Sequence, residues 1–99
     1  KITMEEQNII SVSTFCTQYN VPVTFIQSLR EYDLLEIVRE GEEEYIQVTH
    51  LHRVEKMIRL HYELNINMEG LDVVNNLLQQ VWDLQQENQS LKDRLKLFE

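Results

Sequence analysis

Apolar residues recur at helical spacing through most of the 99-residue chain, and short β-branched runs interrupt them. The segment Thr14–Tyr19 predicts a first helix, and the side chain of Ser13 can cap its N-terminus. Asn20 ends that helix, and Pro22 fits the first position of a second helix that covers residues 22–32. Two short helices across so tight a connection predict a helix-turn-helix.

The β-branched runs predict three short strands. One run, residues 8–12, comes directly before the first helix. Two more, Leu34–Val38 and Tyr45–Val48, flank the charged segment 39–44, in which Gly41 can adopt a positive φ angle. These two runs predict a β-hairpin that follows the helix-turn-helix as a wing.

The second half of the chain predicts two longer helices. Thr49 can cap the first, which extends to about Asn65 and carries apolar residues at spacings of three and four. Asn67 can cap the last helix, which continues to about Leu97. The two predicted units are a winged helix-turn-helix domain, residues 1–67, and a C-terminal dimerisation helix, residues 68–99.

The last helix has a heptad repeat when Val74 is placed at position a. The repeat favours a coiled-coil homodimer over packing of the stripe on the chain's own domain. Such packing is expected near Leu71 to Leu78, where the apolar face is wider than a two-position seam. Asn88 is the polar member, and a polar a position restricts register and strand number at a cost in stability. The predicted interface consists of the a and d residues Val74, Leu77, Val81, Leu84, Asn88, Leu91, Leu95 and Phe98.

The composition narrows the classes of function. The chain has 9 Lys and Arg against 17 Asp and Glu, a net charge of -8 that disfavours nonspecific binding of nucleic acid. Two glycines and one proline leave no glycine-rich phosphate loop, and no apolar run approaches the ~20 residues of a membrane span. The single cysteine excludes an internal disulfide and is typical of a cytoplasmic protein.

The candidate chemical groups do not assemble into a catalytic or metal site at the level of sequence. His50 and His52 are two residues apart and cannot share a helical face, and His61 lies further along the same predicted helix. Cys16 lies among apolar residues with no adjacent base, as expected of a buried small side chain. We therefore expect no enzymatic activity and no cofactor or metal.

A basic stripe on the long helix has two interpretations. Arg53, Lys56 and Arg59 recur at three-residue spacing and could contact a phosphate or an acidic partner. Pairing with Glu55, Glu63 and neighbouring acids of the wing is the favoured interpretation.

The order of elements resembles that of MerR-type regulators, and the segment 12–35 is similar to their DNA-binding unit. The later stretches resemble the CbpM-type chaperone modulators, which are short MerR-like proteins that end at the coiled-coil helix. The matching residues are Arg59-Leu-His-Tyr-Glu-Leu64, Gly70-Leu71, Leu84-Gln-Gln-Glu-Asn88, Leu91, Arg94-Leu95 and Phe98. The resemblance implies a mainly α, MerR-like winged helix-turn-helix with a small β-hairpin wing and a C-terminal coiled-coil helix.

The resemblance also implies a function. A CbpM-like protein binds the J-domain of a DnaJ- or CbpA-like co-chaperone and blocks its interaction with Hsp70 without doing chemistry itself. J-domains present a basic helix to an acidic face of Hsp70, so a small acidic protein can occupy the same surface. The expected docking residues are those of the acidic wing, Glu40, Glu42, Glu43 and Glu44, and those of the last helix, Asp72, Trp82, Asp83 and Glu87.

The alternative function is a MerR-family transcriptional regulator that reads DNA with Gln27, Ser28 and Arg30. DNA-reading members of that family clamp phosphates with arginines and a tyrosine on the second helix, whereas the matching positions here are Thr24, Gln27 and Ser28. The wing also carries Glu36 and the four other wing glutamates against Arg39 alone. Nucleic acid is therefore an unexpected partner, and an adaptor that only dimerises is the third interpretation.

The charges beside the heptad seam bear on how two helices would pair. In a parallel pair Glu87 would face Lys92 and Arg94 would face Glu99, exposed attractions worth only ~0.2–1 kcal/mol each. MerR relatives pair their helices antiparallel, so the local charge pattern and the resemblance favour opposite orientations.

Overall fold

A computed structural model describes residues 8–99 of the chain and confirms the predicted mainly α fold with a small sheet. Residues 1–7, which the sequence assigns to the winged helix-turn-helix domain, lie outside this range. The elements in chain order are β1 (Ile9–Ser11), α1 (Val12–Tyr19), α2 (Val23–Glu31), β2 (Val38–Glu40), β3 (Glu43–Gln47), α3 (Leu51–Tyr62) and α4 (Met68–Lys96), with a 3₁₀ turn at Val48–His50.

The three strands form one antiparallel sheet in the order β1-β3-β2. In this sheet Val38 pairs with Tyr45 across the hairpin, and Ile10 pairs with Ile46 on the other side of β3. Gly41 has a φ of 66° in the turn, a conformation that a side chain would strain. The wing is thus tied to the start of the helix-turn-helix through β1, and this long-range pairing was not predicted from the sequence.

The core lies between α1, α2, the sheet, α3 and the first turn of α4. Phe15 and Leu29 are completely buried, and Ile46 and Leu71 close the core from the sheet and from α4. Cys16 belongs to the same cluster, and burial raises the pKa of its thiol. The remaining buried members are Val12, Val21, Phe25, Ile26, Leu34, Leu35, Val54 and Met57.

The start of α1 differs from the prediction. The helix begins at Val12 rather than Thr14, and its cap is Ser11, whose hydroxyl accepts a 3.0 Å hydrogen bond from the backbone N–H of Thr14. Ser11 is extended, as an N-cap requires, whereas Ser13 already lies inside the helix. Asn20 ends α1 as predicted and has the left-handed conformation, whereas Pro22 is the N-cap of α2 rather than its first residue.

Three further boundaries differ from the prediction. The run that begins at Leu34 is not one strand, because Leu34 and Leu35 turn inward to the core and β2 starts only at Val38. Thr49 does not cap α3, since it lies within the 3₁₀ turn and His50 occupies the N-cap position without a side-chain bond. The helix also ends earlier than predicted, at Tyr62.

The start of α4 is fixed against the globular part. Asn67 caps it as predicted, with its side-chain oxygen accepting a 2.8 Å bond from the N–H of Gly70. A Cβ atom at Gly70 would lie 2.6 Å from the Cγ2 atom of Ile66, so a side chain here would push Ile66 away from the core. The hydroxyl of Tyr32 donates a 2.9 Å bond to Glu69, which links the end of α2 to α4.

Beyond its first turns, α4 projects away from the core. Every residue from Asn76 to Glu99 is exposed, and the described part of the chain is 56 Å long with a radius of gyration of 17.3 Å. A compact domain of this length would have a radius of gyration of about 13 Å, so the projecting helix sets the shape. Within residues 8–99, no helix is both long and apolar enough to cross a bilayer.

Candidate protein interfaces

The first candidate surface is a cleft between the wing and the two helices of the helix-turn-helix. We call it the wing cleft; it is shallow and open, with a volume of about 360 Å³. Val23 is 41% exposed at the start of α2, so the cleft offers an apolar contact beside its charges. The lining residues are Val12, Ser13, Val23, Gln27, Arg39, Glu42, Glu43 and Glu44.

The cleft is acidic because three of its lining residues are glutamates. Glu42 and Glu43 are exposed; Glu42 lies in the turn with Gly41, and Glu43 is the first residue of β3.

Glu44 holds the wing against the second helix. Its Oε2 atom lies 3.1 Å from Nη1 of Arg30 on α2 and 2.6 Å from Nη2 of Arg39 on β2. Arg30 was the cationic candidate for reading DNA, and here its guanidinium is bound by a carboxylate of the same chain. Glu42 and Glu43 of the wing are exposed charges of the same surface.

The candidate residues of α4 do not join the wing cleft. Asp72 is half-buried near the Tyr32–Glu69 bond. The hydrogen bond to Glu69 and the charge of Glu69 raise the pKa of Tyr32 most, and the charge of Asp72 raises it further. Asp83 accepts a 3.1 Å bond from the side chain of Gln79, and Glu87 lies further along the projecting helix. The structure therefore separates the predicted acidic residues into two surfaces.

The heptad residues form a second candidate surface on α4. Leu84 and Leu95 are 63% and 64% exposed, and Phe98 is 88% exposed, so the chain itself does not cover the stripe. A shallow groove of about 430 Å³ runs along it and is lined by Val81, Leu84, Gln85, Glu87, Asn88 and Leu91. An apolar stripe of this length on a projecting helix is typical of an interface.

A third surface, the α3–α4 groove, was not predicted from the sequence. It has a volume of about 440 Å³, and Trp82 forms part of its wall. Arg53 and Lys56 lie on its edge. The predicted ion pairs of the basic stripe are wrong for the described residues. Within residues 8–99, Glu44 forms ion pairs, but Arg53, Lys56 and Arg59 form none. Glu55 instead accepts a hydrogen bond from the hydroxyl of Tyr19.

The ring of His61 has two structural contacts. His61 Nδ1 lies 2.8 Å from the carbonyl oxygen of Ile66, and its ring packs beside Phe25 with 5.1 Å between centroids. In the part of the chain that the structure describes, no three His, Cys, Asp or Glu side chains gather in a group that could hold a metal ion.

Comparison with known proteins identifies the class. Residues 10–93 match the family described as MerR HTH family regulatory protein, and the chain belongs to this family. The chain is also similar to the chaperone modulatory protein CbpM of Pseudomonas putida strain W619, with 29% identity over 92 residues that cover 90% of this chain and 89% of the relative.

The CbpM of Pseudomonas entomophila strain L48 gives the same picture, with 28% identity over 94 residues and the same coverage of both chains. These relatives confirm the predicted resemblance to CbpM-type, MerR-like proteins. No solved structure matches the chain.

Proposed function

We propose that this chain is a non-enzymatic chaperone modulator that binds the J-domain of a DnaJ- or CbpA-like co-chaperone and blocks its interaction with Hsp70. The modulator role is supported by the names of the two relatives. The observation that carries the choice of surface is the wing cleft, where exposed glutamates stand beside the second helix of the helix-turn-helix.

Electrostatics favour the wing cleft as the docking surface for a basic helix. Glu42 and Glu43 are exposed and Glu44 is already paired with two arginines, so the outer part of the cleft keeps its negative charge. Complementary charge speeds association and selects partners more than it adds affinity. Val23 supplies an apolar contact beside these charges. A basic J-domain helix bound here would be unable to contact Hsp70.

The same geometry weakens the alternative of a DNA-reading regulator. Membership of the MerR family favours DNA binding, but Arg30 is paired with Glu44 and Gln27 lines the acidic cleft. A DNA-binding protein gains much of its affinity from cations that replace the counterions of the phosphates. Carboxylates at the same place would repel the duplex instead.

We also propose that the chain forms a homodimer through the heptad residues of α4, in an antiparallel arrangement. In an antiparallel pair centred on the middle of the seam, every a residue of one helix lies opposite a d residue of the other. Leu77 then lies opposite Leu95 of the second copy, and Leu84 lies opposite Asn88. All the basic residues of α4 lie in its last turns, so antiparallel pairing places them beside the acidic first half of the other helix.

Cysteine cross-linking tests this arrangement. An equimolar mixture of Leu77→Cys and Leu95→Cys chains should form a disulfide-linked heterodimer, while each variant alone should cross-link poorly. Both positions are more than half exposed, so neither change disturbs the core. Rapid cross-linking of each single variant with itself would show a parallel pair, and monomers throughout would contradict the dimer.

Calorimetric titration with an isolated J-domain tests the proposed function. The double variant Glu42→Lys/Glu43→Lys should weaken binding at least about tenfold, or about 1.4 kcal/mol, because it reverses the charge of the cleft. The matched control is Asp83→Lys/Glu87→Lys, which changes the net charge equally on the other acidic surface and should bind as the unchanged chain does.

The outcomes separate the candidates. An equal loss in both double variants would show an effect of net charge alone, and a loss confined to the Asp83→Lys/Glu87→Lys variant would move the docking surface to α4. No binding of the unchanged chain, together with specific binding of duplex DNA tighter than about 10⁻⁶ M, would replace the proposal by the regulator.

A further inference from the structure

The α3–α4 groove is an apolar channel with a basic edge. Its floor and walls combine residues from both helices at helical spacing, and Leu78 and Trp82 remain 44% and 56% exposed. Leu71 closes its inner end within the core. The lining residues are His52, Arg53, Lys56, Met57 and Leu60 from α3, and Leu71, Val74, Asn75, Leu78, Gln79 and Trp82 from α4.

The groove and the dimer seam use different faces of α4. Groove residues such as Leu78 and Trp82 occupy positions e and b of the heptad, whereas the seam uses a and d. At 3.6 residues per turn the two faces are about a quarter of a turn apart. Val74 is shared and Leu78, at position e, borders the seam, whereas Gln79 and Trp82, at positions f and b, face away from it.

The charge at the edge of the groove selects an acidic occupant. Arg53 and Lys56 form no ion pair with the carboxylates of residues 8–99, although the chain as a whole carries a net charge of -8. The last turns of a second copy fit the edge poorly, because Lys92, Arg94 and Lys96 outnumber the acids there.

The side chains are those of a protein-binding site. Trp and Arg are enriched among the residues that dominate binding energy, and Met adapts to different apolar surfaces. A groove between two helices accepts the apolar face of a third helix. We propose that the α3–α4 groove docks an amphipathic helix of a partner protein, with apolar side chains toward Leu78 and Trp82 and carboxylates toward Arg53 and Lys56.

This site has the opposite charge preference from the wing cleft, so it does not depend on J-domain binding there. Two surfaces of one small protein would then recognise a basic and an acidic segment, on one partner or on two.

The single tryptophan of the chain reports on the groove directly. The probe is a synthetic helical peptide of about 16 residues with leucines on one face and glutamates elsewhere, and its match has lysine in place of every glutamate. Saturable binding of the acidic peptide should shift the emission of Trp82 to shorter wavelength, and the basic peptide should not. The Lys56→Glu variant should bind the acidic peptide at least about tenfold more weakly.

The control variant is Lys96→Glu, which makes the same charge change on α4 outside the groove and should leave peptide affinity unchanged. Circular dichroism checks that both variants stay folded. The proposal is overturned if the acidic peptide gives no shift up to about 1 mM, if both peptides bind equally, or if both variants weaken binding alike. A shift that grows with protein concentration without peptide, and is lost in Lys56→Glu, would assign the groove to a second copy and also overturn it.

Discussion

Leucine side chains meet two different environments in this molecule. In the globular part, Leu29 and Leu71 are completely buried among residues from distant positions in the chain. On the projecting part of α4, Leu84 and Leu95 are more than 60% exposed. The same residue type therefore stabilises the first region from within the chain and can stabilise the second only through a partner. The difference supports our proposal that α4 associates with a second copy, whereas the globular part is stabilised by contacts within the chain.

The largest expected effect comes from truncating a leucine in each region. Leu29→Ala should lower the free energy of unfolding by about 2–5 kcal/mol at every protein concentration, because it leaves a cavity in the core. Leu84→Ala should change it by less than about 0.5 kcal/mol when the chain is monomeric. At higher concentration it should weaken the dimer, as urea denaturation and sedimentation at two concentrations would show.

Equal losses from both substitutions in dilute protein would contradict the comparison, since they would mean that the chain itself covers Leu84. An unchanged dimer in Leu84→Ala would instead contradict the proposal that the heptad residues form the dimer interface.

The smallest expected effect concerns the Tyr32–Glu69 bond, which joins the two regions. Glu69 accepts hydrogen bonds from its own backbone N–H and from Tyr32, and these bonds lower the pKa of its carboxyl group. Their contribution to stability is therefore present above the ordinary glutamate pKa and is lost as the pH falls through the lowered value. The hydrogen bond to Glu69 raises the pKa of Tyr32, so stability is also lost as the pH rises above the ordinary tyrosine range.

The variant Tyr32→Phe tests this bond, because it removes the hydroxyl that donates it. Urea midpoints measured between acid and alkaline pH should differ from those of the unchanged chain near neutral pH and converge at both extremes. Identical midpoints at every pH would show that the bond does not stabilise the contact between α2 and α4.

Local signals predicted much of this fold. Asn20 and Asn67 mark helix ends that depend on residues close by in the chain, and both predictions are confirmed. The pairing of β1 with β3 and the inward turn of Leu34 depend on residues far away, so periodicity could not reveal them.

The candidate sites show the same limit. The sequence identified the glutamates of the wing but not the ion pairs that bind Glu44 to Arg30, because these residues are 14 positions apart. It predicted Trp82 as a partner contact but not the groove that Trp82 lines with Lys56, since that groove exists only where two helices pack.

The central proposal is that the wing cleft, between the wing and α2, binds a basic helix of a partner protein. Backbone NMR of labelled protein during titration with a J-domain tests this most directly. The account predicts shifts concentrated at residues 23–27 and 39–44, with no matching shifts from duplex DNA at physiological salt. Shifts confined to residues 77–99, or the same shifts produced by DNA, would contradict it.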